Sequence, residues 1–223
     1  MYKTLYNYID KGIILNVGNK DLPMKSTRKK NNTRRKVALK NIRGTSIEER
    51  PEEIMQRNEY GHWEMDKVIG GYKKHGKECL LVLSERMTRE EIIKKIPAKK
   101  IEYVVNALNS IEKSLGSRQF RQKFKTITCD NGMEFMDFKN MEKSIKTKMP
   151  RTKVFYCHPF SSWERGSNEN CNKLIRRFIP KGAIMEDYSK EDIKYIEEWI
   201  NSYPRQILGG ISAMEYKKRL GIA

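Results

Sequence analysis

Hydrophobic positions along this chain fall into two regimes. Near the start, Leu5, Tyr8 and Ile9 lie at helical spacing within residues 4–11, and Gly12 is a plausible stop. A helix that short cannot fold alone. From Gly61 onward the pattern is dense. His62–Ile69 alternates as a strand and ends at Gly70-Gly71, and residues 79–83 are a continuous apolar run, as in a strand covered on both faces. Glu91–Ile96, stopped by Pro97, fits a third strand or a short helix. Ile101, Val104, Val105, Leu108, Ile111 and Leu115 recur at helical period up to Gly116. Residues 124–129 read as a strand running into Asp130, 135–145 as a helix and 154–157 as a short strand. Helices are predicted over 167–179, 190–200 and 213–220. Three strands, helix, strand, helix, strand, helix predicts an α/β domain with a mixed sheet flanked by helices, the order of an RNase H-like fold.

Charge changes the picture next. The chain has 223 residues, with 46 Lys+Arg against 28 Asp+Glu, for a net charge of +18. Nine of the cations lie in residues 24–43, which contain no acid. That stretch, with Arg28, Lys29, Lys30, Arg34, Arg35 and Lys36 at its centre, reads as a basic arm that contacts phosphate rather than as a neutral tether. The sign then inverts, with seven acids against two bases over residues 46–66, where Ser46 and Glu49 form a capping-box pattern. A hydrophobic content of 38% suffices for a core. No apolar run approaches the roughly 18 residues of a membrane span, and the composition of the first residues leads us to expect no secretory signal. Cys79, Cys129, Cys157 and Cys171 form no C-x-x-C pair, so reduced, packed thiols and a cytoplasmic, nucleoid-associated location are expected.

Three acids are candidates for chemistry. Asp66 lies within the first strand of the dense region. Asp130 ends an apolar strand and opens the turn sequence Asp130-Asn131-Gly132, where capping the turn is the competing role. On a helix over 167–179, Glu169 shares a face with Lys173 and Arg176, opposite an apolar stripe of Cys171, Leu174, Ile175 and Phe178. An i,i+4 salt bridge explains part of that pattern, but Arg176, Arg177 and Lys181 exceed what one Glu needs and favour a phosphate-binding face. Three carboxylates on two strands and a helix can converge on two Mg²⁺ (or Mn²⁺) ions, the arrangement used for in-line displacement at a phosphodiester.

Several strings then carry a resemblance. His62-Trp63-Glu64-Met65-Asp66-Lys67-Val68-Ile69-Gly70, Glu85-Arg86-Met87-Thr88-Arg89 and Thr128-Cys129-Asp130-Asn131-Gly132-Met133-Glu134-Phe135 resemble successive motifs of bacterial DDE transposases. The string from Tyr156 through Pro159, Trp163-Glu164-Arg165-Gly166 and Asn168-Glu169-Asn170 to Gly182 is similar to the signature around the catalytic Glu of the insertion-sequence thirty family. The resemblance implies an RNase H-like, integrase-type catalytic core and metal-dependent DNA cleavage and strand transfer. It also implies a triad at Asp66, Asp130 and Glu169, DNA contact by Lys173 and Arg176, and a homo-oligomer.

The implied organisation is a remnant of a helix-turn-helix region at 1–22, a basic arm and linker at 23–57, a catalytic core at 58–182 and a helical tail at 183–223. Family members carry a longer recognition region at the front, so a truncated chain is expected. An inert DNA-binding remnant that interferes with the full-length enzyme is the alternative. A nuclease on the same fold is disfavoured by the Pro159-to-Gly182 signature. Two departures stand out: 38 residues separate Asp130 from Glu169, more than is usual, and Glu90-Glu91 occupy ordinarily apolar positions, which weakens the expected third strand.

Overall fold

The computed structural model describes residues 2–22, 44–71, 77–159 and 161–222. The basic arm, with Arg28, Lys29, Lys30, Arg34, Arg35 and Lys36, lies outside the described residues. The described residues belong to two compact units, one within residues 1–38 and one within residues 39–223.

In the first unit, α1 (Tyr2–Asp10) occupies the segment whose spacing is helical. Gly12, at φ +67°, ends it by donating its N–H to the Ile9 carbonyl at 3.1 Å.

The second unit is built on a six-stranded mixed sheet. Its strands are β1 (Thr45–Ser46), β2 (His62–Ile69), β3 (Cys79–Glu85), β4 (Glu91–Ile96), β5 (Thr126–Cys129) and β6 (Lys153–Tyr156), in the order β1-β6-β5-β2-β3-β4. β2, β3 and β4 form an antiparallel meander, while β5, β6 and β1 extend the other side of β2 in parallel. Helices α2 (Ile101–Leu115), α3 (Ser117–Lys123) and α4 (Phe138–Glu142) lie between the strands in sequence, and α5 (Gly166–Phe178), α6 (Lys190–Ser202) and α7 (Ala213–Arg219) follow them. This is the expected RNase H-like α/β architecture.

The sheet is covered on both faces, and alternation along β2 decides which residue goes where. Trp63 and Met65 join Leu81, Leu83, Val104, Leu108, Phe120, Phe124 and Ile127 in one cluster. Val68 joins Leu80, Val82, Cys171, Ile175, Ile193, Ile196 and Ile200 in another. All seven residues of β3 are buried, which accounts for its unbroken apolar run. Each buried Leu there contributes about 1.5–3 kcal/mol.

One alternative that the sequence leaves open and three differences from its pattern have physical causes. Glu91–Ile96 is a strand because it pairs with β3 along its whole length, and the two acids at its entrance, Glu90 and Glu91, are absorbed by partners. Glu91 accepts from Ser84 Oγ at 2.5 Å, and Glu90 pairs with Lys123 at 2.7 Å and Lys217 at 3.0 Å. The helix expected over 135–145 shrinks to α4, capped by Asp137, because the chain then turns to bury Arg151. α3 has a single core anchor, Phe120, which stacks on Phe124 at 4.5 Å, so no periodicity announces it. Residues 44–57, read from the sequence as part of the linker, pack on the sheet: β1 pairs with β6, Ile54 is buried, and Arg50 donates to Thr128 Oγ1 at 3.0 Å.

Candidate active site

Two strands deliver the aspartates. β2 and β5 run in parallel with Met65 opposite Cys129, so Asp66 and Asp130 follow at adjacent positions. Met65 and Cys129 face one core cluster, and alternation turns the two aspartates to the other face. Past β5 the chain bends at once: Asp130 Oδ1 accepts the Gly132 N–H at 2.8 Å, and Asn131 Nδ2 donates to the Cys157 carbonyl at 2.6 Å. Asp130 therefore caps the turn with one oxygen and keeps the other for the site.

A cation from the chain itself lies between the two carboxylates. Arg165 Nη1 is 3.1 Å from Asp66 Oδ1, and Nη2 is 3.4 Å from Asp130 Oδ2. Burial alone would lower the Arg165 pKa, but Asp66 and Asp130 outweigh it and hold the guanidinium above its ordinary value. The Asp66 and Asp130 side chains keep 18% and 33% of their surface exposed, so both remain reachable from solvent. The segment leading to Arg165 is fastened by Glu164, which accepts the His158 N–H at 2.9 Å and pairs with His158 Nδ1 at 2.7 Å. The two carboxylates thus converge on one cationic centre. Carboxylate oxygens are the hard donor type that a divalent metal takes, and here they hold the Arg165 guanidinium.

The third acid comes from α5, which is tied to β2 at three levels. At the first, Glu64 Oε2 accepts the N–H groups of Ser167 (2.9 Å) and Asn168 (3.2 Å). At the second, Asn172 Nδ2 donates to Asp66 Oδ2 at 3.0 Å. At the third, Arg176 Nη2 donates to the Ile69 carbonyl at 2.8 Å. The partners advance in the same order on both elements, so helix and strand run in the same direction. Glu169 is exposed in the first turn of α5, three residues before Asn172 and therefore on the same side of the helix. Among the described residues no three His, Cys, Asp or Glu side chains are close enough together to hold a metal. The fold brings Asp66 and Asp130 together at Arg165 and carries Glu169 on a helix docked along β2.

The cations divide by environment. Lys173, Arg177 and Lys181 are exposed, with the Arg177 guanidinium 5.3 Å from the centre of the Tyr203 ring. Arg176 is half-buried and bonded to β2, so it anchors the helix instead of extending from it. Glu64, Arg165 and Asn172 were not singled out from sequence as site residues. Glu64 had a signal, since it stands two residues before Asp66 and shares its face of the strand. Arg165 and Asn172 had none, because their partners lie far away along the chain.

No family model matches the chain. Curated relatives do, three of them as follows. The chain is 41% identical over 211 residues to the probable transposase of insertion-like sequence element IS1161 of Streptococcus salivarius, covering 95% of this chain and 56% of the relative. It is 34% identical over 174 residues to the transposase of insertion sequence element IS4351 of Bacteroides fragilis, covering 78% and 49%. Against transposase InsI of insertion sequence element IS30A of Escherichia coli K12 the identity is 34% over 167 residues, covering 75% and 40%. The chain spans about half the length of the curated relatives it matches. Over that shared span, it belongs to the insertion-sequence transposase family of which the IS30 enzyme is a member.

Proposed function

We propose that the chain catalyses metal-dependent DNA strand cleavage and strand transfer at the ends of an insertion sequence. The observation that carries this reading is the convergence of Asp66 and Asp130 on one cationic centre, beside the helix turn that bears Glu169. Asp66, Asp130 and Glu169 would hold two Mg²⁺ or Mn²⁺ ions, which supply an activated attacking oxygen and stabilise the leaving one. The chain's own residues set up the rest. Asp66, within β2, and Asp130, just past the end of β5, are held at adjacent positions, and the turn hydrogen bond fixes the orientation of Asp130. Exposed Lys173, Arg177 and Lys181 bind the phosphates of the DNA backbone, with the acid-free arm adding sequence-independent attraction. Joining both ends of one element calls for two copies of the chain, so the working form is a homo-oligomer. Its partners are the element ends and target DNA.

A strand-transfer assay with pre-cleaved end DNA and Mg²⁺ or Mn²⁺ tests this. The natural chain should give joined product, and Asp130→Asn should give none above background. Equal activity in the two would refute the catalytic reading and leave a DNA-binding remnant.

A further inference from the structure

Glu64 is an anomaly in the middle of the fold. Its side chain is fully buried, on the same strand face as Asp66 and two residues before it. A carboxylate in such a place is costly unless every oxygen is engaged, and here both are. Oε1 accepts from Arg86 Nη1 at 2.6 Å and Ser167 Oγ at 3.3 Å, and Oε2 accepts the Ser167 and Asn168 N–H groups. Arg86 is itself 2% exposed and supplies the counter-charge.

The first turn of α5 has no side-chain cap from the residue that precedes the helix, Arg165. Its free N–H groups, and the positive end of the helix dipole, are met instead by a carboxylate from 103 residues away. The surroundings reinforce the junction. Arg89 Nη1 donates to Ser167 Oγ at 2.5 Å. In the orientation that satisfies both ends of its amide, Asn168 donates to Ser84 Oγ at 2.8 Å and to the Glu64 carbonyl at 3.2 Å.

We infer that Glu64 is a positioning residue of the active site: its buried carboxylate docks the first turn of α5 onto β2 and so sets Glu169 against Asp66. This rests on the metal-dependent reading above. The placement is economical, because the junction lies two residues from Asp66 on the strand and one to two residues from Glu169 on the helix. An ion pair needed only for packing has no reason to consume the helix N–H groups beside the third acid. Glu64 touches no reacting group, so its effect travels through Glu169.

The experiment is a double-mutant cycle between Glu64→Gln and Glu169→Gln in the full chain. It reads Mn²⁺ affinity from the paramagnetic resonance of free Mn²⁺, strand-transfer kcat and KM for end DNA, and the melting temperature. Glu64→Gln should weaken Mn²⁺ binding by about tenfold or more and lower kcat with little change in KM. In the Glu169→Gln background it should have no further effect on either quantity. Wild-type Mn²⁺ affinity in Glu64→Gln, or a loss that adds to that of Glu169→Gln, would overturn the inference. If Glu64→Gln does not fold, Ser167→Ala decides, because it removes only the hydroxyl that links Glu64 and Arg89. A partial loss of Mn²⁺ affinity supports the inference, and unchanged affinity overturns it. Asp66→Asn separates the two levels. Undiminished Mn²⁺ binding there would refute the metal site itself, whereas its loss alongside a normal Glu64→Gln would refute positioning alone.

Discussion

Replacing Arg151 by Met should destabilise the protein severely, although Arg151 lies outside the active site. The Arg151 and Glu112 side chains are both fully inaccessible and pair at 3.1 Å. Arg151 also donates to the carbonyls of Met141 (2.7 Å) and Asn140 (3.1 Å) and to Asn109 Oδ1 (2.7 Å), and it lies 5.5 Å from the centre of the Phe120 ring. On the other side, Glu112 accepts from Ser117 Oγ at 2.7 Å, Ile145 N at 3.1 Å and Ser144 Oγ. Burial pushes the Glu112 carboxyl up, but these hydrogen bonds and Arg151 outweigh it and hold it below its ordinary value. The charge therefore stays when Arg151 is removed, with nothing to balance it, at a cost of about 3–5 kcal/mol. At about 2–4 °C per kcal/mol for a domain of this size, the melting temperature should fall by about 6–20 °C. Adding Glu112→Leu should recover at least about 1 kcal/mol of the summed single losses, because the second change removes the orphaned charge. Urea unfolding of the two single variants and the double variant measures the losses and the recovery, and thermal melts measure the temperature shift. A loss below about 1 kcal/mol for Arg151→Met, with an unchanged denaturant slope, would mean that this ion pair does not hold the long segment between Asp130 and Glu169.

Three further predictions follow from single features. A Cβ at Gly132 would lie 2.7 Å from both Asp130 Oδ1 and Glu134 Oε1. Gly132→Ala should therefore displace the Asp130 carboxylate and depress strand transfer far more than melting temperature; equal activity would show that Asp130 tolerates the shift. Burial pushes the Glu91 carboxyl up to about 8, against the opposing pull of Arg205 and Ser84. The native state then retains a proton that the unfolded chain gives up, so stability falls as pH rises from the ordinary carboxylate range to about 8, at roughly 1.4 kcal/mol per unit at most. Glu91→Gln should flatten that slope in melts between pH 5 and 8, and a slope unchanged by the substitution would place the titration elsewhere. Finally, deleting residues 24–43 should reduce the salt dependence of DNA affinity, read from binding isotherms at several ionic strengths, whereas an unchanged slope would mean that the nine cations do not touch phosphate.

Much of this protein was legible in one dimension because much of it is periodic. Alternation in His62–Ile69, the apolar run that became β3 and the helical spacing of Ile101–Leu115 each report burial of a regular element, and each formed where its pattern lies. The same alternation placed Asp66 on a strand, and a turn sequence placed Asp130 at a strand end. What the sequence by itself could not settle depends on partners far along the chain. Glu91–Ile96 became a strand through pairing with β3, α3 through stacking of Phe120 on Phe124, and residues 44–57 joined the sheet through β6 and Thr128. Arg176 read as a free cation on a polar helix face, yet it spends its donors on the Ile69 carbonyl, 107 residues away. Only tertiary packing placed Arg165 between two aspartates and Glu64 beneath a helix end. The physical reason is one of range: periodicity records which face of an element is dry, but the identity of the group waiting on that face is set by where the other elements dock.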